Sequence, residues 1–313
     1  MKNMSNIITM NSDGSQVVEY NNPLFECFAI KTYCAPNQTY HITEHWHEDL
    51  EYIYVIDGEL EYNVNGKSIM LRAGEGICVN SKQIHSNHSV PGKSCAFYCS
   101  LIHPSLLGVS KYIEQTYVAP LLGPNSFDYL LLNRNDWTGI IIEELERLFE
   151  NDDTKVVEID ILEASFRILK TIYKHVKISP VKAEPASHKI GIFKSMMLFI
   201  QNHYMEKISL NDIAAAGNVG KTLCMNIFKE YASKTPGEYL IYYRIQKSIE
   251  LLTRTDLSMT EISYAAGFSS ASHYTKTFRE IMGCTPLKFR KDNSKNTLNY
   301  YLIPKRNSNT PDS

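Results

Sequence analysis

The order of apolar and polar positions divides the chain into stretches with different periods. From about Pro23 to His103, short runs rich in β-branched and aromatic residues alternate with glycine turns. Ile53–Ile56, Leu60–Val64, Ile77–Val79 and Ala96–Leu101 are divided by Asp57-Gly58, Asn65-Gly66, Ala73-Gly74 and Pro91-Gly92. Asn-Gly between Glu61–Val64 and Lys67–Leu71 is the pair that a two-residue hairpin favours, because both turn positions need positive φ. Many short strands at close spacing predict a small β-barrel or jelly roll. From about Ser105 to Val176 the period becomes helical. Ile140, Ile141, Leu145, Leu148 and Phe149 share one face, and Ile161, Leu162, Phe166, Leu169 and Tyr173 share another, with Asn151–Thr154 between them. Such helices either pack on the barrel alone or also meet their counterparts in a second subunit.

Ile178–Ser187, with Pro180 and Pro185, reads as a linker. An amphipathic helix over His188–Tyr204 follows, built on Ile192, Phe193, Met196, Met197 and Ile200. The stretch Ile208–Arg290 then repeats itself. Ile208–Ile213 and Leu257–Ile262 open the two copies, Phe228-Lys-Glu and Phe278-Arg-Glu close them, and Thr235-Pro236 and Thr285-Pro286 follow at matching distances. In each copy a Ser-x-x-acid pair, Ser209/Asp212 and Ser258/Glu261, has the form of a capping box. Asn218 and Gly267 sit where a tight turn requires positive φ. These are the marks of two helix-turn-helix units. Pro236–Leu252, with proline in its first turn, separates them by about 25 Å at about 1.5 Å per residue.

The predicted class is α+β with two domains: a β-barrel with trailing helices, then an all-α domain. The boundaries read as 1–104 for the barrel, 105–177 for the helical dimerisation or packing region and 178–187 for the linker. The paired units occupy 188–291 and a polar tail 292–313. Charge supports this division. The chain of 313 residues carries a net charge of −2, but residues 188–291 are net +6, residues 1–187 net −9 and the tail +1. A basic module on an acidic one implies a polyanion partner for the basic module alone. The seven cysteines are odd in number and lack CxxC pairs, so reduced thiols are expected rather than a disulfide framework. Met1–Met10 lacks the apolar core of a signal peptide and no stretch approaches a membrane span, so a cytoplasmic protein without a membrane partner is expected.

In a helix-turn-helix the second helix enters the major groove. In the first unit, Cys224, Ile227 and Phe228 form the inner face. Thr222, Met225 and Asn226 point outward, with Lys221 and Lys229 placed for phosphate. In the second, Tyr274 and Phe278 point in, and Ser272, Thr275, Lys276 and Arg279 point out beside His273. Residues 188–291 resemble the DNA-binding domain of the AraC/XylS family of transcriptional regulators. The resemblance is most specific from Asp256 to Arg279, through Gly283-Cys-Thr-Pro286 and Phe289-Arg290. It implies that double-stranded DNA is read from Thr222, Met225, Asn226, Ser272, Thr275 and Lys276. Family members usually carry Ser at the place of Gly220 and often Arg at that of Asn226. An absent bidentate arginine removes about 1–3 kcal/mol of base discrimination, so the first unit is expected to be the weaker reader.

His45-Trp-His47, Glu51, Gly58 and the later His85 resemble the two cupin motifs, whose matching positions hold iron, manganese or a similar metal in metal cupins. Three imidazoles and a carboxylate are chemically suited to such an ion. Against this, AraC-type sensors often carry such histidines and bind an organic effector, and Lys82 stands where metal cupins favour glycine. His45, His47, Glu51 and His85 therefore read as effector-binding residues in a polar pocket or inner hydrogen-bond network. No cofactor is expected, with a divalent metal at those four as the alternative. Tyr33, Tyr54 and Tyr98 lie in strand-like runs near the motif and would suit a sugar or another polar ring compound. Together these readings describe a ligand-responsive homodimeric transcription factor with a small-molecule effector, carbohydrate among the candidates. RNA polymerase is a partner if it activates. With no separate general base in view, catalysis is not expected; the rival is a cupin metalloenzyme carrying a DNA-targeting domain.

Overall fold

The structure is a computed structural model. It describes residues 15–293, apart from 21, 23, 37–39, 124, 151–156, 179–185 and 233, together with 301–302. The lead-in to residue 14, the Asn151–Thr154 spacer, most of the linker and most of the tail lie outside the described residues.

Among the described residues nine strands form the barrel: β1 (Cys27–Cys34), β2 (His41–His45), β3 (Leu50–Val64), β4 (Lys67–Arg72), β5 (Glu75–Val79), β6 (His85–Ser89), β7 (Cys95–Ile102), β8 (Tyr129–Asn133) and β9 (Tyr301–Leu302). The main path runs β2-β6-β3-β7-β1-β9, and every pairing is antiparallel. The hub is β3. Its first half pairs with β5 and β7, and its second half with β4 and β6. Asp57-Gly58, expected to end a strand, instead bends one continuous strand. The register slips between Val55↔Phe97 and Asp57↔Ala96, so Ile56 is an extra residue. Gly58 is required there: its φ is +77°, and a Cβ would lie 2.0 Å from the Ser94 carbonyl oxygen. The Asn65-Gly66 turn has φ of 50° and 83°, the expected hairpin geometry.

The extra residue changes which side chains face inward. Before it, Ile53 and Val55 point into the barrel; after it, Leu60, Tyr62 and Val64 do. Leu50, Tyr52 and Tyr54 take the other face, under the helices. That outer layer is α1 (Gly139–Glu150) and α2 (Val157–His175). Ile141, Ile142, Leu145 and Leu148 are buried in α1, while Ile140, expected on that face, is exposed. Buried Glu144 accepts from Arg147 at 2.9 Å and pairs with Arg167 of α2 at 2.8 Å, which ties the two helices together. Strand β8 lies in the stretch read as helical. Its run of three leucines is too short for periodicity to separate strand from helix, and pairing with β5 decides it. All seven cysteines are free thiols, and burial pushes Cys27 and Cys78 up to about 12.

The C-terminal helices are α3 (Ala186–His203), α4 (Leu210–Ala216), α5 (Lys221–Ala232), α6 (Pro236–Arg254), α7 (Met259–Ala265), α8 (Ala271–Met282) and α9 (Pro286–Asn293). Both capping boxes form, at Ser209/Asp212 and Ser258/Glu261. Asn218 and Gly267 take φ of 51° and 82°. Gly267 also packs tightly, since a Cβ would lie 2.5 Å from the Tyr204 carbonyl oxygen and 2.9 Å from Arg244 Nε. Arg244 Nε donates to Tyr204 O at 2.7 Å, and Arg290 donates to Leu252 O and Leu257 O. Each unit is thus braced against α6 or its flanking turns. Gly267→Ala is expected to destabilise the chain by about 1–3 kcal/mol through forced positive φ alone, with more from the clash. Thermal denaturation of the variant measures this, and an unchanged midpoint would contradict the close packing.

Candidate functional site

Two sites emerge from this frame, one on each domain. On the helical domain, α5 and α8 repeat one another in exposure. Cys224, Ile227 and Phe228 are buried in the first unit, as are Tyr274, Thr277 and Phe278 in the second. Lys221, Thr222, Asn226 and Lys229 are exposed on α5, and Ser272, Lys276 and Arg279 on α8, while Met225 and Thr275 are partly covered at matching positions. Every side chain expected to read or hold DNA therefore lies on the outward face of its helix. The units differ at their starts. Ser270 accepts from His273 N at 3.2 Å and caps α8, whereas Gly220, which precedes α5, has no side chain to do so.

Within the barrel, His45 ends β2, His85 begins β6 opposite it in the ladder, and Glu51 is the second residue of β3. With His47 they form a buried cluster whose ligand atoms all lie within 4.8 Å of one another. Each imidazole is anchored by its Nδ1 to a backbone carbonyl: His45 to Thr43 at 2.7 Å, His47 to Asp49 at 3.1 Å and His85 to Gln83 at 2.9 Å. A neutral imidazole that donates through Nδ1 presents Nε2 as a lone pair. His47 Nε2 lies 3.1 Å and His85 Nε2 2.8 Å from Glu51 Oε2. Although it is so close, the enclosed His85 Nε2 has no aligned hydrogen bond. The other Glu51 oxygen accepts from Tyr62 OH at 2.9 Å. Burial raises the Glu51 carboxyl, but the His85 and His47 imidazoles outweigh it and hold the group well below the usual carboxylate range. Burial, reinforced by its histidine neighbours, drives His45 well below the ordinary imidazole value. Ring nitrogens converging on a carboxylate, with the opposite nitrogens tied to carbonyls, are the arrangement found around protein-bound metals. The donor set fits a divalent ion.

Tyr62 was not anticipated, because the bulge puts it at the inward position that an unbroken alternation from Glu51 would give to its neighbours. Tyr33, Tyr54 and Tyr98, expected beside the histidines, lie apart from them. Tyr33 is exposed on β1. Tyr54 accepts from Arg134 at 2.9 Å, and Tyr98 stacks on Phe149 of α1 at 4.2 Å between centroids. Both belong to the layer between sheet and helices. The odd-numbered inward pattern at Glu51 turns Tyr54 outward. Lys82, the residue that replaces glycine, adopts φ of +64°, so the backbone shape that glycine would supply is retained.

A family model described as a helix-turn-helix domain matches residues 213–292, and one described as a cupin domain matches residues 33–100. The uncharacterized HTH-type transcriptional regulator YdeC of Bacillus subtilis is 31% identical over 273 residues, covering 84% of this chain and 91% of that protein. This chain belongs to the AraC/XylS family of transcriptional regulators. The melibiose operon regulatory protein of Escherichia coli is 24% identical over 258 residues, covering 80% of this chain and 83% of its own. Among solved structures, ToxT of Vibrio cholerae bound to an unsaturated fatty acid covers 87% of this chain and 97% of its own at 18% identity, with a TM-score of 0.44. As an AraC-family regulator the chain joins a ligand-binding cupin domain to a DNA-binding domain. Among the described residues no helix is long and apolar enough to cross a membrane.

Acid reaches this frame through its histidines. Burial, then His88 and Lys234, push His41 down to about 3, and His45 is lowered too. Folded imidazoles that stay neutral while the unfolded chain protonates near 6.5 make stability fall as pH drops below that value. For His41 the loss continues to about 3. Denaturation midpoints of the metal-free chain are expected to decline steadily below 6.5, and a flat profile there would contradict these assignments.

Proposed function

We propose that the chain is a sequence-specific regulator that binds double-stranded DNA as a homodimer on paired half-sites. Lys221, Thr222, Met225, Asn226 and Lys229 form its first reader, and Ser272, Thr275, Lys276 and Arg279 its second. The observation that carries this is the matched outward face of α5 and α8, held apart by α6, a helix of 19 residues, and braced by Arg244 and Arg290. Residues 1–104, joined by β8, act as the sensor, and 105–177 supply the helical layer that serves packing and dimerisation. The protein works in the cytoplasm without catalysing a reaction, and meets RNA polymerase where it activates.

The sensor's ligand binds at His45, His47, Glu51 and His85. A carbohydrate would be met there without Tyr33, Tyr54 and Tyr98, so the aromatic support for that class is lost. The three carbonyl-anchored imidazoles gathered with one carboxylate favour a divalent first-row transition metal. Such an ion would be held by the three imidazoles and Glu51 and would supply positive charge beside the carboxylate, while Tyr62 holds its second oxygen.

Two measurements follow. Lys276→Ala is expected to cost about 1–3 kcal/mol at the second unit's half-site, with a smaller loss from Asn226→Ala at the first. Footprints showing equal losses at both half-sites would contradict unequal readers, and salt-independent binding would contradict phosphate contacts altogether. Untagged protein is expected to hold roughly one ion per chain, lost on chelation with a fall in thermal stability. Glu51→Gln is expected to lower that occupancy, and unchanged occupancy would contradict the site.

A further inference from the structure

The residues that line the barrel site alternate in sequence with residues that belong to the first reader's core. Trp46 lies between His45 and His47, and Ile84 directly precedes His85. Both are buried in one apolar cluster with Phe193, Met197, Phe228 and Tyr239. That cluster is the core of α3–α5 and the start of α6, so the barrel contributes two side chains to the first helix-turn-helix unit. The corresponding core of the second unit, with Ile262, Tyr274 and Phe278, contains no barrel residue among those described.

One lysine of α3 holds both arms of the site. Lys194 Nζ lies 3.8 Å from the centre of the Trp46 ring and donates to Lys82 O at 2.8 Å. A second route runs through the hairpin tip. Asn65 N donates to Ile84 O at 2.8 Å, Ile84 N donates to Asn65 Oδ1 at 3.1 Å, and Asn65 Nδ2 donates to Gln83 Oε1 at 2.8 Å. The next residue, Gly66, touches the end of α5, since a Cβ there would lie 1.5 Å from the Glu230 carbonyl oxygen. Movement of His85 therefore reaches α3 through Ile84 and the reading helix α5 through Gly66.

The dock is polar enough to be shifted. Buried Glu44 meets Lys234 at 2.7 Å, yet its second oxygen, Trp46 Nε1 and His41 Nε2 are enclosed without a hydrogen-bond partner. Enclosed polar atoms of this kind oppose burial, and opening would return them to water. The barrel thus holds the first unit in a contact that a modest force at the site can strengthen or loosen.

We infer that a divalent transition-metal ion is the signal this regulator senses, and that by bridging His45, His47, His85 and Glu51 it sets, through Trp46 and Ile84, how the first reader is held on the barrel. The second reader remains an anchor whose geometry the ion does not touch. This rests on the metal reading above. The metal acts as effector rather than catalyst, and its output is read on DNA.

The test uses the full chain stripped with a chelator and titrated with zinc, whose filled d shell does not quench indole. Two tryptophans are present, so Trp137→Phe leaves Trp46 as the sole reporter, and DNA affinity is measured in parallel on the unaltered sequence. Zinc is expected to shift Trp46 emission and to change affinity at the first unit's half-site by about fivefold or more, the lower end of ordinary coupling between sites, with the second half-site unmoved. Glu51→Gln should abolish both responses. Lys194→Ala should bind zinc with unchanged stoichiometry while losing the response on DNA. Zinc bound at these residues with emission and both affinities unchanged would overturn the inference and leave the metal site standing. Failure of equilibrium dialysis to find zinc at the four residues would overturn both.

Discussion

One strand serves both sheets of the barrel, and the extra residue within it sets the rest of the sensor. Strand β3 slips by one residue at Ile56, stays with β7 to Gly58 and then pairs with β4 and β6. The same slip exchanges its inward and outward positions. Glu51 and Tyr62 consequently meet inside at 2.9 Å, while Tyr54, ahead of the slip, keeps the outward position that alternation from Glu51 gives it. Because β6 pairs with the second half of β3, His85 is delivered to the carboxylate on the first half. The cluster is a product of the bend, and Gly58 is the residue that allows it.

The histidines converge from segments whose other faces belong to the DNA-binding domain. Trp46 lies just past the end of β2 and Ile84 just before β6, and both side chains face away from the neighbouring ligands. In most barrels that outward position meets water. Here Trp46 and Ile84 meet α3 and complete its core. Recognition of a ligand and support of a DNA reader are thus built from neighbouring residues, with no long chain of contacts between them.

Much of the helical domain is legible in the sequence because its rules are local. Ser209/Asp212, Ser258/Glu261, Asn218 and Gly267 each state a cap or a turn within a few residues, and all take the expected conformation. The four site residues of the barrel are legible as a motif for the same reason. What escapes is whatever depends on pairing at a distance. The bulge at Ile56 appears only once β7 lies beside β3, so the inward position of Tyr62 cannot be read from alternation. Strand β8 needs β5 to define it. The dock of Trp46 and Ile84 on α3 joins residues more than a hundred apart in the chain, a separation over which no periodicity carries.

The central claim is that the barrel site and the first reader form one mechanical unit from which the second reader stands apart. Amide hydrogen exchange on the full chain, with and without zinc, tests this directly. Exchange in α3 and at the C-terminal end of α5 is expected to change on zinc addition along with β2 and β6, while α8 stays unchanged. A change confined to the strands of the barrel, or one spread equally over α5 and α8, would contradict it.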